Sequence, residues 1–119
     1  MIKPEKINQK IFIAYRYNDT DAGQVLANIG VAHQVAYESI KAGWIPFIPH
    51  TDCLLAIMFG KKLPLKFYYD YSIEWLKSCD AICIVDDGRP LSSGVKRELG
   101  IAEALGIKVI WEKIELSEE

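Results

Sequence analysis

Cys79-Asp80-Ala81-Ile82-Cys83-Ile84-Val85-Asp86-Asp87-Gly88-Arg89-Pro90-Leu91-Ser92-Ser93-Gly94-Val95-Lys96-Arg97-Glu98-Leu99-Gly100 decides the fold. A short apolar run, a polar turn-rich loop and a helix opened by serines and glycine form the strand-loop-helix unit of an α/β protein. A ligand of such a unit sits at the carboxyl end of the strand, over the amino end of the helix. With a helix start near Ser92 or Ser93, the residues Val95, Leu99, Ala102 and Leu105 share one face at helical spacing. Glu98 falls inside that apolar arc, whereas Lys96, Arg97 and Glu103 fall opposite. A carboxylate on a core-facing arc needs a partner or a cavity, because burying it alone is too costly. Glu98 is therefore the first candidate functional residue, weighed against a carboxylate that reaches solvent at the edge or is paired structurally.

Working outward, Ile11-Phe12-Ile13-Ala14-Tyr15 is an apolar run before Arg16-Tyr17-Asn18-Asp19 and reads as the first strand, from about Lys10. Asp21 and Gln24 have the spacing of a capping box. Val25, Ile29, Ala32, Ala36 and Ile40 then recur at helical spacing up to Gly43, with Gly30 expected to accommodate a closely packed neighbour. Trp44-Ile45-Pro46-Phe47-Ile48-Pro49 reads as a second strand placed toward an edge by its prolines, followed by the loop His50-Thr51-Asp52-Cys53. Leu54–Phe59 is a short helix or apolar loop, and a helix is expected from about Leu65 to Ser78. Ala81–Val85 is the third strand, Ile107–Trp111 the fourth, and Glu112–Glu119 a charged tail. The expected fold is a small Rossmann-like or flavodoxin-like α/β three-layer sandwich, with a parallel sheet of four or five strands in a single domain over residues 1–119.

Composition narrows the function classes. Half of the 119 residues are apolar and a quarter charged, as in a folded globular protein. A formal charge of -2 with scattered lysine and arginine gives no nucleic-acid footprint and no adhesive membrane surface. Cys53, Cys79 and Cys83 are odd in number and lack CxxC spacing, which fits buried thiols in a reducing compartment. The polar stretch Met1–Lys10 lacks the apolar run of a signal peptide, and a cytoplasmic location is the expectation.

Among chemical motifs, GxGxxG and GxxxxGK[ST] are both missing, which disfavours dinucleotide and P-loop chemistry. His33 and His50 are the only histidines, too few for a metal site, and no metal or cofactor is expected. Ser92-Ser93-Gly94 at a helix start is either an anion cradle or a simple cap. Glu98, the loop Tyr15-Arg16-Tyr17 and the His50 loop converge on one sheet edge, where they would form a cleft for a small planar ligand. A carboxylate in such a cleft can attack an acetal carbon such as C1 of a sugar.

These residues resemble the nucleoside 2-deoxyribosyltransferase-like superfamily, including 2'-deoxynucleoside 5'-monophosphate N-glycosidases, over roughly Ile11–Trp111. The likeness rests on the first strand with its polar loop, on Gly43-Trp44-Ile45-Pro46 with Pro49-His50, on Trp75-Leu76-Lys77-Ser78-Cys79-Asp80-Ala81, and on Ser92-Ser93-Gly94-Val95-Lys96-Arg97-Glu98-Leu99-Gly100. The resemblance implies that Glu98 is the nucleophile, that Ser92 holds a 5'-phosphate with Ser93 and Gly94, that Arg16 adds a charge clamp, and that Asp80 is structural. Ser72 stands where the superfamily carries a catalytic aspartate, and Phe12 where the glycosidases carry a tyrosine. Asp70, Tyr15 and Tyr17 are the nearby substitutes, with Asp70 or Tyr17 assisting catalysis and Tyr15 and His50 contacting substrate. The resemblance thus implies hydrolysis or transfer at an N-glycosidic bond of a nucleotide or nucleoside, in a homodimer or higher homo-oligomer. A non-catalytic nucleotide sensor using the same cleft is the alternative.

Overall fold

The computed structural model describes residues 1–116, and Lys61 by its backbone alone. Four strands, β1 (Lys10–Ala14), β2 (Ile45–Phe47), β3 (Ala81–Asp86) and β4 (Lys108–Lys113), form one parallel sheet in the order β2-β1-β3-β4. The register sets Ile11 beside Pro46 on one side and Ala81 on the other, and Cys83 beside Ile110. The helices are α1 (Ala22–Ala42), α2 (Cys53–Phe59), α3 (Leu65–Lys77) and α4 (Ser93–Ala104). No helix of the described residues is long and apolar enough to cross a membrane.

The two central strands are apolar on both faces, as a sheet covered on both sides requires. Ile11, Ile13, Ala81, Cys83 and Val85 pack with Ala32, Val35 and Ala36 of α1. Phe12, Ala14, Ile82 and Ile84 point the other way, against Leu76 of α3 and Val95 and Ala102 of α4. This period-two division of β1 and β3 produces the three layers. Pro46 lies in the edge strand β2, where a missing N–H is tolerated.

Local chemistry sets the element ends. Asp21 caps α1 by accepting from the Gly23 amide at 3.0 Å. The expected capping box does not close, because Gln24 donates to Asn28 Oδ1 at 2.9 Å and the Asp21 amide donates to Asp19 Oδ1 at 2.9 Å. Gly43 ends α1 in the left-handed region at φ 106°, its amide donating to the Ile40 carbonyl. Asp80 accepts from the Lys10 amide at 2.7 Å, tying the start of β3 to the start of β1 and giving this aspartate a structural task.

Several expectations shift. The buried stripe of α1 is Asn28, Ala32, Val35, Ala36 and Ser39, whereas Ile40 is 56% exposed. Nothing packs within contact of a side chain built at Gly30, so close approach does not explain that glycine. Leu105 lies past the last turn of α4 and is exposed, off the apolar face assigned to it. Strand β4 runs on to Lys113, paired with Asp86, so the charged tail begins later than expected, and its residues 117–119 lie outside the described ones.

Candidate active site

The carboxyl ends of β1, β2 and β3 open on the same side of the sheet, and the segments leaving them enclose a cavity of about 500 Å³. Ligands of open α/β sheets bind at this kind of crevice. From β1 come Tyr15, Tyr17 and Asn18; from the one-turn 3₁₀ helix after β2 come Pro49, His50 and Asp52. Beyond β3, Ser92, Ser93, Gly94, Val95, Arg97 and Glu98 form one wall, and Leu65, Tyr68, Tyr69, Ser72 and Ile73 of α3 form another.

Glu98 lies in the second turn of α4, partly buried and facing the cavity. Burial pushes its carboxyl up to about 8, against a small opposing effect of Arg97. At the start of the same helix, Ser92 Oγ accepts from the Val95 amide at 3.3 Å, so its hydroxyl serves as the cap. The amides of the first turn have no intrahelical carbonyl partner and give that wall its positive end.

Seven of the expected site residues line this one cavity: Tyr15, Tyr17, His50, Ser92, Ser93, Gly94 and Glu98. Arg16 and Asp70 do not. The Arg16 Nε lies 3.3 Å from Asp87 Oδ2 and its Nη2 donates to the Pro90 carbonyl at 2.9 Å, so its charge is committed to joining two loops. The attraction is the nearly inaccessible Asp87 carboxylate, which also receives Arg89 Nη2 at 2.6 Å and the Tyr15 hydroxyl at 2.9 Å. Burial raises the Asp87 pKa, but Arg89, Tyr15 and Arg16 outweigh it and hold the carboxyl at about 2. Asp70 projects from the outer side of α3 and pairs with Lys66 at 2.6 Å, while Ser72 faces the cavity. Two residues apart on a helix means opposite sides, which is why the neighbouring carboxylate does not substitute geometrically.

Other groups enter that the sequence pattern did not single out. Arg97, assigned to the outer side of α4 by periodicity, lines the cavity with its guanidinium 4.2 Å from the Tyr69 ring centre. Arg97 is exposed, as that periodicity implies, and because side chains lean toward the helix amino terminus and α3 packs alongside, it also borders the cavity. Asp52 is the other carboxyl of the lining, raised by burial and partly offset by the Tyr17 hydroxyl beside it. The only sequence signal for these was position in a loop after β2 or next to the nucleophile candidate.

The Tyr17 ring stacks on His50 with centres 5.3 Å apart and planes 8° apart. Burial, then Cys53 and Asp52, raise the Tyr17 pKa, and burial with Asp87 raises that of Tyr15, so both phenols are neutral donors. Among the described residues no group of three or more potential ligands could hold a metal. Cys53, Cys79 and Cys83 are free; burial raises Cys79 to about 11 and Cys83 to about 12, leaving those two thiols unreactive.

Residues 9–112 match the family described as Domain of unknown function (DUF7768). Among solved structures, the chain is similar to a 2-deoxyribosyltransferase of Bacillus psychrosaccharolyticus, with a TM-score of 0.64 and 21% identity over 92% of this chain and 76% of that one. It is similar also to a 2-desoxiribosyltransferase of Leishmania mexicana, with a TM-score of 0.60 and 24% identity over 88% of this chain and 64% of that one. At these identities the likeness establishes a nucleoside 2-deoxyribosyltransferase-like fold. No curated protein matches the chain in sequence.

Proposed function

Because the chain belongs to the DUF7768 family and carries the fold of 2-deoxyribosyltransferases, we propose that it acts on the N-glycosidic bond of a small nucleoside or nucleoside 5'-monophosphate. The observation that carries this proposal is Glu98, a carboxyl desolvated to a pKa of about 8 on the wall of a cavity of about 500 Å³. A desolvated carboxylate facing a cavity has the reactivity needed to attack an anomeric carbon. Glu98 would form an ester to C1 of the sugar as the C1–N bond breaks and the base leaves with its bonding electrons, and water or a second base would then displace the Glu98 carboxylate from C1. Ser92, Ser93 and Gly94, at the positive end of α4, would take the phosphate, with Arg97 as the cation of the lining. Tyr17 would assist as a neutral donor, in place of the outward-facing Asp70.

The nucleophile must be ionised, and a group at about 8 is only about one-tenth ionised at pH 7. Base release should therefore rise about fivefold from pH 7 to pH 8. Chromatography of a panel of nucleosides and nucleoside 5'-monophosphates tests the proposal, with Glu98→Gln as control. Release that vanishes in the variant supports it; release that persists removes Glu98 from the chemistry.

The outward placement of Asp70 and the serine at position 72 favour a second possibility, a non-catalytic nucleotide-binding module. Calorimetric binding of a nucleotide without base release from any substrate would select it. Self-association is proposed through the exposed apolar side chains Leu54, Ile57, Met58 and Leu65, which sedimentation velocity would test.

A further inference from the structure

The two edges of the sheet are finished differently. At one edge β2 is three residues long and carries Pro46, two of the devices by which folds blunt an open edge. At the other edge β4 runs for six residues, Lys108-Val109-Ile110-Trp111-Glu112-Lys113, with no proline and no break in its register to β3. Among the described residues no strand pairs with its outer side. The Ile114 amide donates to the Asp86 carbonyl at 2.9 Å, which fixes the sense of the ladder. Successive residues of a strand aim their amide and carbonyl to alternate sides, so Lys108, Ile110 and Glu112 bond toward β3. Val109, Trp111 and Lys113 therefore present theirs to the open edge, and a row of such groups is a template for another strand. Trp111 is 55% exposed there, and Leu105, which leads into the strand, is exposed as well.

We propose that β4 pairs antiparallel with β4 of a second copy of this chain, about a two-fold axis at Ile110, so that two sheets become one. Side-chain chemistry selects both the partner and the register. Bonded pairs of an antiparallel ladder join residues that both face the edge, so the axis passes through a residue and not between two. With the axis at Ile110, Val109 and Trp111 exchange amide and carbonyl bonds with the partner's Trp111 and the partner's Val109. Lys108 then stands opposite the partner's Glu112, and Glu112 opposite the partner's Lys108, in the non-bonded pairs where side chains come closest. Neither residue has an ion-pair partner among the described residues of its own chain. On the same face Ile110 meets the partner's Ile110, and on the other face Val109 meets the partner's Trp111. Moving the axis to Val109 or Trp111 sets Ile110 against a lysine or a glutamate and loses both ion pairs. The strand is thus self-complementary in hydrogen bonds, charge and apolar surface, as an isologous contact requires. This surface lies at the edge of the sheet away from β2 and the α2 side chains that follow it, and it is independent of what the cavity binds.

Sedimentation velocity and residue-resolved amide exchange by NMR, both on the full chain, test the proposal. Lys108→Glu sets like charges opposite each other at two places in the pairing, as does Glu112→Lys, and each should weaken self-association about tenfold. An equal mixture of the two variants should restore it, because every reversed charge then faces its opposite on the other copy. No other register of β4 gives that rescue, and a variant that merely misfolded would not be rescued. In the unmutated protein the Val109 and Trp111 amides should exchange slowly and speed up on dilution, while the Ile110 amide, bonded to β3, stays protected throughout. A chain that is monomeric at every concentration overturns the proposal, as does association that ignores both reversals, which would place the contact elsewhere. Protection of Val109 and Trp111 that survives dilution also overturns it, because another segment of the same chain would then cover the edge.

Discussion

Replacing Glu98 by glutamine should make the protein more stable, and increasingly so as pH rises. In the folded chain the carboxyl sits at about 8, against an ordinary value of 4.5. Between those values the folded state keeps a proton that the unfolded state has released, so stability falls as pH rises through the window. Below about 4.5 both states hold the proton, and above about 8 neither does, so the dependence is confined to the interval. The limiting size is about 1.4 kcal/mol per pH step of one, or about 5 kcal/mol over the whole interval. Glu98 keeps part of its surface open to the cavity, and water there reduces the effect to about 2–3 kcal/mol. In a chain of this length that is a difference of about 6–15 °C in Tm. Thermal unfolding followed by circular dichroism from pH 4.5 to 8.5 provides the assay. The two proteins should unfold at similar temperatures at the acid end and diverge steadily toward the alkaline end, with the glutamine variant higher. A constant offset across the range would mean that Glu98 titrates as an ordinary carboxyl. The desolvation on which the proposed nucleophile rests would then be refuted.

Asp87→Asn leaves Arg16 and Arg89 without their shared carboxylate, and urea unfolding at pH 7 should show a loss of about 3 kcal/mol. Because the Asp87 pKa is depressed to about 2, its contribution is complete above the ordinary value of 3.8 and disappears as pH falls through about 2, so the variant and the parent should converge there. Asp70→Asn removes only an exposed pair with Lys66, and should change stability by less than about 0.5 kcal/mol and leave nucleotide affinity unchanged by calorimetry. Gly43→Ala meets Pro4 at an ordinary 3.6 Å but must hold φ at 106°, so urea unfolding should report a loss of about 1–2 kcal/mol from backbone strain. Iodoacetamide at pH 8 should leave Cys79 and Cys83 unmodified in the folded protein and label them once urea unfolds it; labelling of both without denaturant would contradict their burial.

What the sequence by itself determined is the part of this protein set by local patterning. Ile11–Ala14 and Ala81–Val85 are apolar at every position, which only a strand buried on both faces requires, and the spacing from Val95 to Ala102 orients α4 with Glu98 beside its buried stripe. The order of elements then places the Glu98 helix and the Tyr15 loop at the same end of a parallel sheet. Tertiary structure decided which charges remain free there. Arg16 is drawn to Asp87 because a nearly inaccessible carboxylate outcompetes solvent for it, and that contact joins loops more than seventy residues apart, whereas Arg89 reaches the same carboxylate from two residues away. Periodicity placed Arg97 on the exposed side of α4, where it lies, but could not register that α3 packs alongside and sets Tyr69 beneath its guanidinium at the cavity. It likewise could not place Asp70 outward and Ser72 inward, because which side of α3 meets the cavity depends on how that helix packs against its neighbours. The unpartnered His50 nitrogen is the extreme case. Its lack of a partner follows from where the Arg16 carbonyl and the Tyr17 ring come to rest in space, and no spacing of residues along the chain encodes that.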